Sequence, residues 1–371
     1  MIILDFYYVT LECLEKSLGV KKKILGQVKA FKSFGFNVSL IKTVRKGVLS
    51  RVFEMQKSLK INKNAVYYFR GFGFLFVFFK RKLRKLKKNG NILVLEIPTP
   101  IITSEKEFVK SKDNMLVKKI KWFLFNHSFP SVLEYFDLIV EYAPEDLKYT
   151  QGIENKFVYI SNGVDVESIK LKNKNESNDI NLISVANISN WHGFDRVIKG
   201  LYEYYYGDNK LDTREVFYYC VGEGDDLENL KKLVSELNLE KYVIFPGAKS
   251  GKELNNIFDK SDIAIGSLAN HRKGLFYDAA LKNREYCARG IPFILASPDP
   301  DFPEMFPYVF RVSSDEGAVN IKEIISWYER LIQENPDYSI EMRKYAEEHL
   351  SWQAKLMPVL ERINKLSYEN K

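Results

Sequence analysis

The chain has 371 residues, 46% hydrophobic and 28% charged, which suits two domains with cores of their own and excludes a disordered protein. Its three cysteines (Cys13, Cys220, Cys287) are scattered and its four histidines show no ligand spacing, so a disulfide framework is excluded and a zinc site disfavoured. The net charge of +8 hides a split: residues 1–150 hold 28 Lys and Arg against 13 Asp and Glu, and residues 151–371 hold 28 against 35. A basic half calls for a polyanionic partner, either nucleic acid or an anionic membrane.

Residues 2–9 read as a first strand, residues 17–23 as a loop, residues 24–34 as a helix and residues 35–41 as a second strand. This βαβ opening lacks the full glycine fingerprint of a dinucleotide site. Residues 65–70 form a further strand. Residues 71–88 follow, aromatic first and cationic last, with no acidic residue. Residues 118–125, KKIKWFLF, repeat the theme, with Trp122 as an interfacial anchor. Two such segments in one basic half favour a membrane surface. No nucleic-acid module signature appears. The blander reading puts the aromatics in a core and the lysines on a solvated face. Residues 91–97 read as a buried strand that places Glu96, and Thr99 after it, at a carboxyl end; Glu105 and Glu107 are weaker candidates. Residues 136–140 form a strand, residues 144–149 start a helix, and residues 156–165 are a strand ending in an Asn-Gly turn.

A lysine- and asparagine-rich linker, residues 170–179, leads to a second strand series that opens at residues 180–187. Residues 217–227 read as strand, glycine turn and helix, with Gly222 and Gly224 allowing close backbone approach. The stretch 261–295 reads as strand, loop, helix and strand. Arg272 and Lys273 are loop cations, Gly274 and Leu275 follow them, and the helix at 281–289 carries Lys282 and Glu285 one turn apart. Cations, a glycine and a helix N-terminus at a strand's carboxyl end suit a phosphate or diphosphate. Helices at 321–333, 338–350 and 353–366 close the chain.

The residues Glu285-Tyr286-Cys287-Ala288-Arg289-Gly290-Ile291-Pro292 resemble the nucleotide-sugar site of the family-4 retaining glycosyltransferases, Leu281-Lys282-Asn283-Arg284-Glu285 resembles the variant of their capsule- and exopolysaccharide-building members, and Glu96-Ile97-Pro98-Thr99 resembles an element of exopolysaccharide glycosyltransferases. The first Glu of the family pattern falls on Tyr277, with Asp278 beside it. The family's phosphate-binding Arg and Lys fall on Asn187 and His192. The resemblance implies an α/β chain of GT-B fold, two Rossmann-like domains with a deep interdomain cleft. Its parts would be an acceptor domain at 1–168, a nucleotide-sugar domain at 179–345, and a C-terminal helical segment, 346–371, crossing back to the first domain. In that frame Arg272, Lys273, Lys282 and His192 neutralise the donor diphosphate, and Glu285 holds ribose hydroxyls. Gly222, Gly224, Gly274 and Leu275 line the donor, with Gly19 in the turn after the first strand. Glu96 orients or deprotonates the acceptor.

The implied reaction moves a sugar, with retention, from a nucleotide diphosphate sugar of the UDP-sugar kind to a lipid-linked saccharide in bacterial cell-surface polysaccharide synthesis. It needs no cofactor and no metal. The expected place is cytoplasmic, peripheral on the inner face of the plasma membrane through the basic half, with no nucleic-acid partner. No apolar run reaches the ~20 residues of a membrane-spanning helix, and no signal peptide is evident. The replaced motif residues also motivate a non-catalytic partner subunit, and the two-domain layout a nucleotide-sugar epimerase.

Overall fold

In a computed structural model, residues 4–12, 14, 18–45, 47–98, 114–142, 151–173, 177–207 and 214–369 are described. The chain divides into two compact units, Met1–Gly163 with Trp352–Lys371, and Val164–Ser351.

The first unit runs β1 (Asp5–Thr10), α1 (Leu18–Ser33), β2 (Asn37–Lys42), α2 (Val48–Ser58), β3 (Val66–Arg70), α3 (Lys80–Lys88), β4 (Ile92–Ile97), α4 (Met115–Ser128), α5 (Pro130–Leu133), β5 (Leu138–Glu141) and β6 (Phe157–Tyr159). All six strands are parallel, in the order β2-β1-β3-β4-β5-β6. The central strands VYYFR, ILVLEI and LIVE are buried at every position, as continuous apolar strands between two helical layers must be. One face packs on α1 and the C-terminal helix Trp352–Glu369 through Phe6, Tyr8, Phe31 and Trp352. The other packs on α2, α3 and the 3-10 turn Gly73–Phe79. Here the aromatic run read as membrane-facing is largely core: Phe72, Phe76 and Phe79 are buried, Phe72 and Phe76 meet Phe69 edge-on, Phe76 also meets Phe136, and Phe79 meets Phe72, while Phe78 is exposed. Helix α1 starts six residues earlier than the sequence pattern suggests, so Gly19 is a first-turn helical residue and not a turn glycine. The helix expected at 144–149, Thr99, Glu105 and Glu107 lie outside the described residues.

The second unit runs β7 (Ile180–Asn187), α6 (Phe194–Tyr206), β8 (Val216–Glu223), α7 (Leu227–Glu236), β9 (Val243–Gly247), α8 (Gly251–Lys260), β10 (Ile263–Ile265), α9 (Leu281–Ala288), β11 (Phe293–Leu295), β12 (Val309–Arg311), α10 (Ile321–Glu334) and α11 (Tyr338–Tyr345). Its six parallel strands are ordered β12-β11-β10-β7-β8-β9. The chain builds outward from β7 through β8 to β9, then returns to the other side of β7 with β10. That reversal is a topological switch point. The loops leaving the carboxyl ends of β7 and β10 diverge there and leave a crevice for a ligand. In the first unit the equivalent reversal lies between β1 and β3.

Candidate active site

The loop after β7 is short and tightly built. Asn190–His192 forms a 3-10 turn, and Gly193 (φ 66°) reverses the chain into α6. A Cβ on Gly193 would stand 2.9 Å from the Cβ of Ala269, so this loop touches the one after β10. The Leu268 N–H donates to the His192 carbonyl (2.9 Å), which ties the two loops together. His192 stacks on Phe194 at 5.2 Å between centroids, and its Nδ1 accepts from the Ser189 N–H at 3.1 Å. Burial, then the charges of Lys282 and Lys273, push its pKa down to about 3. The ring is therefore neutral; Nδ1 also lies 3.2 Å from the Ser189 carbonyl, and in the tautomer whose Nδ1 accepts from the Ser189 N–H, Nε2 carries the proton and is a donor.

Lys282 comes from the first turn of α9. Part of its stem is exposed, but its Nζ is buried with no hydrogen-bond partner among the described residues, 5.3 Å from the Phe194 ring centre. Burial pulls its pKa down to about 8; Asp278 opposes that shift and Lys273 adds to it. Lys273 lies over the Trp191 ring at 5.0 Å, and burial lowers its pKa too. Two ammonium groups and an imidazole N–H thus gather beside the N-terminal turn of α9, at the switch point of the sheet. A buried cation without a partner costs free energy unless an anion completes it, so the arrangement fits a phosphate or diphosphate.

A polar scaffold seats α9. Arg284, with a fully buried side chain, grips Asp299 with two hydrogen bonds (2.5 and 2.7 Å) and also pairs with Asp301. Asn283 donates to Asp278 (3.2 Å) and Asp299 (3.0 Å). Asp278 caps the helix entry by accepting from the Ala280 N–H (3.0 Å), while its own N–H donates to the Pro298 carbonyl (2.8 Å). Sequence pattern does not single out Arg284, Asp299, Phe194 or Asp278 as parts of this site. The only signal for them was the density of Asp and Asn around 278–301.

Other anticipated residues sit differently. Arg272 is committed to Asp195 (2.9 and 3.0 Å), Glu316 (3.1 Å) and the Asn190 carbonyl (2.7 Å). These partners use its donors, so it clamps the loops together. Glu285 accepts from Arg289 (2.9 and 3.2 Å) and not from Lys282; Arg289 also reaches Asn255 (2.9 Å) and covers the Phe258 ring at 4.1 Å. The i,i+4 partner wins because the Lys282 stem is drawn over Phe194. Gly274 (φ 72°) ends the turn Asn270–Lys273, and a Cβ there would meet nothing within 4 Å, so backbone is open to a ligand at that point. The Leu275 N–H is held by the Asn270 carbonyl (3.2 Å). For Gly222 (φ 139°) and Gly224 (φ 156°), the close approach is to the neighbouring chain: a Cβ would stand 1.9 Å from the Ala186 oxygen and 2.0 Å from that of Ile188.

In the first unit Glu96 is 1% exposed. It pairs with Arg70 and accepts from Tyr142 (2.6 Å) and Gln27 (3.3 Å). Burial raises its pKa, but Arg70, Lys23 and these hydrogen bonds outweigh that and hold it below the usual carboxylate value. Glu96 is a buried, ionised partner of Arg70 and not a free base. Lys23 sits beside it, 9% exposed and 3.6 Å over the Tyr142 ring. Burial and the Arg70 charge bring its pKa to about 7. Among the described residues no group of three or more His, Cys, Asp or Glu side chains is arranged to hold a metal ion.

Two parallel six-stranded sheets, each flanked by helices, make the GT-B fold. This chain matches the family model described as "Glycosyl transferases group 1" over residues 165–308, within its second unit. It is an enzyme that transfers a sugar from a nucleotide sugar. No curated protein sequence matches it. A glycosyltransferase from Rickettsia africae superposes with a TM-score of 0.63 at 15% identity, over 100% of both chains. Anabaena HepE, solved in complex with UDP, gives 0.63 at 12% identity over 98% of this chain and 100% of its own. The lipopolysaccharide outer core galactosyltransferase WaaB gives 0.55 at 11% identity, over 99% and 100%. At such identities these likenesses speak for the fold.

Proposed function

We propose that the second unit binds a UDP-sugar with its diphosphate on Lys282, Lys273 and the Nε2–H of His192. The sugar then passes, with retention, to a lipid-linked saccharide held by the first unit. The observation that carries this reading is the buried, unpartnered Nζ of Lys282 beside a neutral histidine and a second lysine. In the transition state the leaving diphosphate gains charge. Preset cations and the α9 N-terminus stabilise that charge without reorganising. UDP is the first nucleotide to try because HepE was solved with it.

On the acceptor side, Glu96 is already committed to Arg70. Among the described residues, Lys23 and the part-exposed Glu12, itself paired with Arg70 at 3.5 Å, are further charged groups near the first unit's own switch point. An anionic membrane is the favoured surface for a lipid-linked acceptor. Support comes from α3, KRKLRKLKK, which buries Leu83 and Leu86 and exposes Arg81, Arg84, Lys85 and Lys88. Among the described residues no helix is long and apolar enough to cross a membrane.

The test is binding and slow hydrolysis over a panel of sugar nucleotides, with Lys282→Met, Glu285→Ala and Arg272→Ala beside the wild type. Losing one charge-assisted contact should weaken donor binding in Lys282→Met by about 10–100-fold. Unchanged binding in that variant would overturn the donor-site assignment.

A further inference from the structure

Helix α4 is built inside out. Leu116 (67% exposed), Ile120 (51%) and Phe123 (59%) recur at helical spacing and line an outward face, while Lys118 and Lys121 are half-buried toward the protein. An exposed helix in water has the reverse pattern. Helix α2 behaves alike: Val52 and Met55 enter the core, and Leu49 (72%) and Phe53 (67%), one turn apart, stand in solvent. Both helices pack on the turn Gly73–Phe79, whose Phe78 is 47% exposed and whose carbonyl accepts from Gln56 of α2. The exposed apolar side chains of each helix thus recur in a strip, and both strips belong to elements that pack on one turn of the first unit. Such strips mark a binding face.

We propose that these strips insert into the bilayer, as an apolar contact separate from the electrostatic docking of α3. The occupant is argued from charge. Neither α3 nor α4 contains an acidic residue; exposed Lys119 lies among the apolar positions of α4, and α3, which packs on the same turn Gly73–Phe79, exposes four cations. Lysines around an apolar strip match an anionic headgroup layer over acyl chains. A partly exposed indole, that of Trp122 (41%), lies on the same helix, where an interfacial anchor belongs. The inference rests on the membrane reading above and extends it: electrostatic docking vanishes with salt, and apolar insertion does not.

The experiment is co-sedimentation of the full chain with vesicles of phosphatidylcholine and phosphatidylglycerol, in low and in high salt. It compares wild type with Leu116→Ser/Ile120→Ser/Phe123→Ser, with Leu49→Ser/Phe53→Ser, and with Arg81, Arg84, Lys85 and Lys88 neutralised. The serine positions are already in solvent, so these variants should keep their fold. Wild type should retain binding in high salt, and the serine variants should lose at least about tenfold of it. The charge variant should lose mainly the low-salt component. Vesicles should shift tryptophan emission to the blue in wild type and not in Trp122→Phe. Low-salt binding that disappears fully in high salt would overturn insertion while leaving electrostatic docking intact. No binding under either condition would remove both. A concentration-dependent dimer abolished by the serine changes would assign the strips to a second copy and overturn the lipid proposal.

Discussion

At the scale of single residues, the site depends on which charges are already matched. Arg272 and Glu285 have ion-pair partners inside the fold, and the Nζ of Lys282 has no hydrogen-bond partner among the described residues. Arg272→Ala should therefore act by loosening the loop that carries Lys273, and thermal stability should fall along with donor affinity. Lys282→Met should weaken the donor with little loss of stability, because it removes an uncompensated buried charge. The pH profile separates the lysine from the histidine. Lys282 must be protonated to hold a diphosphate, and its pKa in the free protein is about 8, so kcat/KM should fall as pH rises through about 8. Bound donor raises that pKa, so the alkaline limb of kcat should lie higher. His192 is neutral down to about pH 3, and no limb near the ordinary histidine value should come from it. A limb near 6.5 that is absent in His192→Gln would show the imidazole to be charged in use.

At the scale of elements, glycines and buried ion pairs decide where helices sit. Arg284→Met would leave Asp299 buried without its cation, and the expected cost is about 3–5 kcal/mol in denaturant unfolding of the second unit. A loss under about 1 kcal/mol would mean the network is incidental to seating α9. In the first unit Gly26 lies under the Trp352 ring, and a Cβ would stand 2.3 Å from its Cδ1. Gly26→Ala should push the C-terminal helix away from α1, at a cost of about 1–3 kcal/mol. Much of this scale was legible in sequence. Apolar runs ended by Gly or Pro marked most strands, and the run Glu285 to Pro292 marked helix α9. The early start of α1 was not legible, because its first turn is lysine-rich and reads as loop. The burial of Phe72, Phe76 and Phe79 was hidden too, since an aromatic run has the same composition in a core as at a membrane.

For the whole molecule, the chain leaves the first unit at residue 163 and returns to it at 352. Each unit has its own hydrophobic clusters, so calorimetry should resolve two transitions, and UDP should raise only that of the second. A single transition raised as a whole by UDP would show that the units unfold together. Removing residues 352–371 should destabilise the first unit, although they are remote from it in sequence, because Trp352, Leu356, Val359 and Ile363 belong to its core.

The sequence alone carries the α/β class, the charge asymmetry and the motif of the proposed donor site. These depend on composition, periodicity and local motifs, which short stretches of chain carry alone. Only the tertiary structure decided which charges are free. Arg272, Glu285 and Glu96 looked like ligands of a substrate, but Asp195, Arg289 and Arg70 take them up. Asp195 and Arg70 lie 77 and 26 residues away along the chain. Whether a charge is matched depends on its neighbours in space, and spacing along the chain does not reveal them when strand order reverses at a switch point.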